Sequence, residues 1–347
     1  MHSSDDTFIG LLHALPKVEL HNHLEGGAMY PDLALQLAGR NGLELPFTDI
    51  DSARSFYSFT SLNQFIDILR TTVATLNTAE DYADALERHG MEAARQNIVY
   101  HEIFCTYGLV SSRGVAWEAL VEGIEEGRKR NREKHGVNSA IIVDLDRTLP
   151  AEIALQHVEL AAQDKDRLGA VGLGLDCQER GYPAGRLKHC LAAAREADFH
   201  LTAHAGEDGG AASVWDALDC GVERIDHGVQ CVEDPALMKV LAEREILLTV
   251  CPTSNVALDV FPTMSAHTLP ALIEANIPAC LNSDDPPMFD CNLNSEIETV
   301  HRTFAFEDST MLKLLRDAIE HSFQSADDKL RLLQDFDQQV NDYQAQH

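Results

Sequence analysis

The sequence predicts an α/β protein, a closed (β/α)8 TIM barrel with extra helices between strands 1 and 2 and at the C-terminus. Three observations predict it. Short apolar, β-branched runs alternate with amphipathic stretches along the whole chain, the pattern of repeated βα units around a parallel sheet. Eight such runs can be counted. Five of them end in short motifs rich in His, Asp, Glu or Asn, as expected of a barrel that gathers its working groups where its strands end.

The first run, 18–20, enters His21-Asn22-His23-Leu24-Glu25-Gly26. The second, third and fourth are 98–105 (IVYHEIFC), 139–145 (SAIIVDL) and 169–175 (GAVGLGL). The fifth, 200–203, leads to His204-Ala205-Gly206-Glu207, and the sixth, 222–225, to Asp226-His227-Gly228. The seventh, 246–251, opens Cys251-Pro252-Thr253-Ser254-Asn255, and the eighth, 277–281, precedes Asn282-Ser283-Asp284-Asp285-Pro286. Between them, 79–95, 116–133, 151–162, 183–196, 211–218, 235–243 and 269–275 carry apolar residues at helical spacing.

Two additions interrupt the rhythm. The connection 27–97 is too long for a bare loop and includes Phe56, Tyr57, Phe59 and Phe65, so helices there are expected to cover the barrel mouth or to pack as ordinary core. Residues 295–344 read as terminal helices, with Ser325-Ala-Asp-Asp-Lys as a helix start. No repeat or Pro/Ser linker divides the chain. The expected organisation is a flexible segment, 1–8, followed by one domain, 9–347.

The formal charge of −29 disfavours nucleic acid and anionic membrane surfaces, because neutralising phosphate requires an excess of Lys and Arg. The eight cysteines lie in apolar segments without CxxC pairs, which suits reduced thiols in the cytoplasm. The polar, acidic start resembles no export signal, and no apolar run reaches about 18 residues. A small-molecule partner is expected, and no oligomeric state is implied.

His21 and His23, at i and i+2 of a strand, project to one side and can address one point. With His204 ending another strand and Asp284 a third, they form a donor set suited to one Zn²⁺ with a position open for water. Glu207 lies just beyond His204, where it could face that water and a substrate, although an acid at a helix start is the simpler reading. Asp284 and Asp285 alternate in direction if extended, one towards the metal and the other towards a ligand. A binuclear site would need a bridging Lys or Glu at the end of strand four, where Asp176 stands. A cytidine-deaminase-type zinc site would need P-C-x-x-C, which the chain lacks.

The ordered motifs, together with Leu15-Pro16-Lys17-Val18-Glu19-Leu20, resemble the adenosine deaminase family of the amidohydrolase superfamily over roughly 15–344. The resemblance implies that His21, His23, His204 and Asp284 hold one Zn²⁺ per subunit, with Fe²⁺ also suited to such ligands. It implies that Glu207 exchanges a proton with purine N1 and that His227 orients or deprotonates the water on the metal. Asp285 would hydrogen-bond the purine at N7, and the backbone N–H of Cys177, where the family's nucleoside enzymes carry Gly, would face N3.

The substrate signals divide. Glu25, Asp226 and the run Leu175-Asp176-Cys177-Gln178-Glu179 resemble relatives that act on free adenine, whereas Asp285-Pro286-Pro287-Met288-Phe289 resembles nucleoside enzymes. Glu25 would take a ribose hydroxyl, or else Glu25 or Asp176 would take the N9–H of a free base. Deamination of adenosine to inosine is the first expectation. Adenine or an N6-substituted adenine is the alternative substrate, and a non-catalytic purine-binding relative is the remote one.

Overall fold

The computed structural model describes residues 2–59 and 62–346, with the side chains of 2–5, 62 and 63 outside that description. Its centre is one sheet of eight parallel strands in sequence order. They are β1 (Lys17–His23), β2 (Ile98–Cys105), β3 (Asn138–Asp146), β4 (Ala170–Asp176), β5 (His200–Ala205), β6 (Arg224–His227), β7 (Leu247–Val250) and β8 (Ala279–Leu281). Helices intervene around this sheet, so the fold is the (β/α)8 barrel. Strands covered on both faces need near-continuous apolar runs, and Leu20, Ile103, Ile141, Leu145, Leu173, Leu201, Ile225 and Leu248 are accordingly enclosed.

The ring closes by unusual means. Between β8 and β1 there is a backbone bridge, Asn22 with Asp284, in which His23 N–H donates to Asp284 O and Asp284 N–H to His21 O, each at 3.2 Å. Side chains replace the missing ladder. Leu20 N–H donates to Asn282 Oδ1 at 2.9 Å, Asn22 Nδ2 donates to Ser283 Oγ at 3.1 Å, and Ser283 Oγ donates to Glu19 Oε1 at 2.5 Å.

Residues from His2 onward form helix α1 (His2–Ala14). Phe8 and Ile9 are buried, and Phe8 packs against His301 and Tyr343, which gives the helix an apolar side to anchor. Lys17 Nζ holds its end by donating to the carbonyls of Leu12, His13 and Leu15 at 3.2, 2.6 and 3.0 Å, satisfying oxygens that a terminating helix leaves without partners.

The long connection folds into α2 (Leu24–Gly27), α3 (Pro31–Asn41), α4 (Ile50–Phe56), α5 (Leu62–Val73) and α6 (Ala79–Arg95). The starts of α4 and α6 carry reciprocal capping boxes, Asp49 with Ser52 and Thr78 with Asp81. Phe59 and Phe65 gather on Phe289, with ring centroids 6.0 and 5.3 Å away, which places the start of α5 beside the segment that follows β8. Three helices, Leu293–Phe304, Asp308–Glu320 and Ala326–Gln346, complete the C-terminal part, and Ser325 Oγ accepts from Asp328 N–H at 3.2 Å at the expected start of the last. No helix among the described residues is long and apolar enough to cross a membrane, and all eight cysteines are free.

Candidate active site

The sequence motifs converge because every strand of a parallel barrel delivers its C-terminal end to one rim. Three of those ends bend through left-handed backbone at non-glycine residues, Cys177 (φ 69°), His227 (φ 65°) and Asp284 (φ 62°). Such conformations are unfavourable for L-residues and persist where the surroundings fix them, commonly at working sites.

His21, His23 and His204 offer ring nitrogens that all lie within 4.8 Å of one another. Asp284 Oδ1 stands 3.6 Å from His21 Nε2 and 3.3 Å from His23 Nε2. The protons of two of these rings are fixed from behind. His204 Nδ1 lies 3.0 Å from the carbonyl of Leu175, which can only accept, so Nδ1 carries the proton and Nε2 keeps its lone pair. Behind His21, Thr249 gives its hydroxyl proton to Asp226 Oδ1 at 2.9 Å and therefore accepts from His21 Nδ1 at 2.9 Å. That leaves His21 Nε2 bare, buried and without a hydrogen-bond partner among the described residues.

Burial holds His21 down at about 3 and His204 at about 4, so both are neutral at neutral pH. His23 moves upward: burial opposes its charged form but is outweighed by the hydrogen bond to Asp284 and the nearby Asp285 and Asp176. The bare Nε2 of His21 beside the Asp284 carboxylate, with His23 Nε2 and His204 Nε2 only 3.2 Å apart, makes a donor set that a divalent cation would satisfy. His227, Cys251, His21 and Asp284 form a second, overlapping group of possible ligands, and His23, Asp144 and Asp176 a third.

His227 is oriented by a relay of three groups. Leu269 N–H donates to His267 Nδ1 at 3.0 Å, so His267 Nε2 carries its proton and donates to Asn255 Oδ1 at 3.2 Å. The Asn255 amide nitrogen then faces His227 Nδ1 at 3.3 Å, and the His227 proton sits on Nε2, 3.7 Å from Glu207 Oε1. Burial pushes the Glu207 carboxyl up to about 7. The acids of the expected substrate side lie near His23. Glu25 Oε1 accepts from Thr106 N–H at 2.9 Å and from Cys105 Sγ at 3.4 Å, while its Oε2 is buried without a partner. Asp176 Oδ2 accepts from Thr106 Oγ at 2.9 Å, so Thr106 ties the two acids together. Asp285 presses on Gly26, where a Cβ would overlap its carboxylate, and its Oδ1 has no hydrogen-bond partner among the described residues.

Two other expected substrate contacts have partners within the protein. Asp226 is fully enclosed, accepting from Thr202 and Thr249 beside Arg224, and so stands behind His21 through Thr249. The backbone N–H of Cys177 is taken by the Asp176 side chain. The motifs also left out several groups. Thr249 and Thr106 had no signal beyond their strand positions, whereas Asp144 did, as a lone carboxylate in the apolar run SAIIVDL. Asp144 is fully buried and neither of its oxygens has a hydrogen-bond partner among the described residues.

The family profile described as adenosine deaminase matches residues 16–339. The chain belongs to the adenosine deaminase family. Adenine deaminase of Albidiferax ferrireducens is 39% identical to it over 322 residues, 92% of each protein. Among solved structures, adenine deaminase from Arthrobacter aurescens superposes with a TM-score of 0.90 at 34% identity, covering 94% of this chain and all of that one. An amidohydrolase from Burkholderia ambifaria with bound Zn follows at 0.86 and 27%, covering 97% of this chain and 94% of that one. The chain is therefore a hydrolase of this metal-dependent family that acts on a 6-aminopurine.

Proposed function

We propose that the chain deaminates free adenine, consuming water and releasing hypoxanthine and ammonia, with one Zn²⁺ per subunit held by His21, His23, His204 and Asp284. This reverses the order in which the sequence alone ranked adenosine and adenine. The observation that carries the reading is the pair of acids joined by Thr106, because Glu25 is buried and its Oε2 has no partner among the described residues. A free purine has an N9–H to give such an acceptor, and a nucleoside has a glycosidic bond there. The adenine deaminases that match this chain over nine-tenths of its length support the same choice.

The cation would supply Lewis acidity, lowering the pKa of water from about 15.7 towards ~7. The chain's own groups do the rest. Glu207, able to hold a proton near neutral pH, delivers it to purine N1 as C6 is attacked, so that the ring accepts the electron pair. His227, fixed as an Nε2–H donor by Asn255 and His267, orients the attacking water and does not serve as its base; one water proton replaces the one that Glu207 gives to N1, and the other leaves with the amine as ammonia. Asp285 and Asp176 bind the purine edges.

Ammonia release from adenine, adenosine and N6-methyladenine, compared as kcat/KM, tests the reading. A site built around a hydrogen bond to N9–H should favour adenine over adenosine by about 10⁴-fold, since the nucleoside leaves a buried acceptor unpaired. Faster turnover of adenosine would overturn it.

A further inference from the structure

Glu179 lies in the segment after β4, carries none of the proposed chemistry, and yet collects an unusual set of donors. Its Oε1 accepts the backbone N–H groups of Glu207 at 2.9 Å and Asp208 at 3.1 Å. Its Oε2 accepts the N–H of Gly206 at 2.8 Å and the hydroxyl of Ser213. The side chain is buried, and a Cβ on Gly209 would run into it. Every backbone N–H from 206 to 208 is therefore bound to one carboxylate.

We propose that Glu179 is the positioning residue for Glu207, fixing the proton donor against purine N1 by holding the backbone on both sides of it. This rests on the reading of Glu207 as that donor. The loop has few other ways to set this geometry. Gly206, at φ 71°, turns the chain away from β5, and Gly206 O accepts from Gln230 N–H at 2.8 Å. Beyond Asp208, Gly210 N–H and Ala211 N–H are held by Gln230 and Glu233 at 2.6 and 3.2 Å. Glu207 itself has no backbone anchor other than Glu179 among the hydrogen bonds of the described residues. A carboxylate suits the task because four convergent donors need acceptor lone pairs on both oxygens, which an amide cannot supply. A displacement of about 1 Å at a reacting group can slow turnover about 100-fold, so loss of the anchor should appear in the chemical step.

The test uses the metal-loaded full chain and measures kcat, KM and metal content for Glu179→Gln, Glu179→Asp, Ser213→Ala, Glu207→Gln and the double variant E179Q/E207Q. The expected result for E179Q is a kcat lower by about 10- to 100-fold with KM changed by less than about threefold and a full complement of metal. Glu179→Asp should recover part of that loss, and Ser213→Ala, which removes one of the four donors, should lose about two- to fivefold. In the E207Q background, with product followed over hours, E179Q should add no further loss, because a positioning residue has nothing left to position. The proposal is overturned if E179Q lowers kcat as much in the E207Q background as in the wild-type chain, if KM rises while kcat holds, or if metal is lost in step with activity. If E179Q fails to fold, the decision passes to Ser213→Ala in both backgrounds, under the same criteria. An unaffected E207Q would refute the role of Glu207 itself, whereas a slow E207Q with an unaffected E179Q would refute only the positioning.

Discussion

At the scale of single residues, the site depends on what is missing from some side chains as much as on what others carry. Gly26 is a case: a methyl group there would occupy the space of the Asp285 carboxylate, so any larger residue must move that acid or α2. Gly26→Ala should raise KM for adenine at least tenfold and destabilise the protein by about 1–3 kcal/mol. Gly39, in α3, meets nothing within 4 Å, so Gly39→Ala should leave KM unchanged and slightly raise stability. Steady-state kinetics and thermal melts on the two variants check this, and equal effects would discount the contact. The spacing of the motif His21 to Gly26 could not reveal the requirement, because the partner comes from a strand end some 260 positions away. Distance along the chain also hid the duty of Asp226, which acts through Thr249 on His21. The histidines and Asp284 stood out in the sequence because the proposed metal site calls for particular residue types. Groups behind them can be any donor or acceptor, and Thr202, Thr249 and Asn282 look ordinary in sequence.

At the scale of elements, β-branched runs placed the eight strands to within a few residues, since both faces of each are covered and polarity changes sharply at the ends. Within 27–97 the helical spacing of 79–95 marked out α6, and the rest was legible only as too long for a loop. Its helices are set by contacts between distant turns, and Asp81 shows how. This buried carboxylate starts α6 by accepting from Thr78 N–H at 2.8 Å and Asn77 N–H at 3.1 Å, and it holds the end of α3 through Arg40 at 2.8 Å and Asn41 at 2.9 Å. Burial opposes its ionisation, but these hydrogen bonds outweigh burial and hold its pKa below the ordinary value. A carboxylate depressed on folding stabilises the protein above its unfolded pKa, about 3.9, and that contribution disappears as pH falls through the lower folded value. Asp81→Asn should thus destabilise the chain by about 2–4 kcal/mol at pH 7, with the deficit shrinking below about pH 4. Denaturant unfolding across that range tests the sign, and a deficit constant down to pH 3 would contradict it.

At the scale of the whole molecule, the seam between β8 and β1 joins the two halves of the proposed ligand set. His21 and His23 lie on one side of it and Asp284 on the other, and Asn282 Oδ1 stands in for a ladder bond to Leu20 N–H. Asn282→Ala leaves that buried N–H unpaired, at about 1–3 kcal/mol, and should lower Tm by a few degrees. It should also weaken metal binding, because the donors on either side lose their common frame. Tm of the metal-free protein and a metal titration separate the two effects, and an unchanged metal affinity would show that the seam does not govern the site.

The same seam bears on the order of events in folding. Contacts between residues about 260 apart require closing the longest loop in the ring, and closures of that kind form late and slowly. A chain that has built β2 to β7 still has His204 and Asp284 apart from His21 and His23. In refolding from denaturant, high-affinity metal uptake should coincide with the slowest phase, so a partly folded chain would have little power to trap a cation in the wrong place.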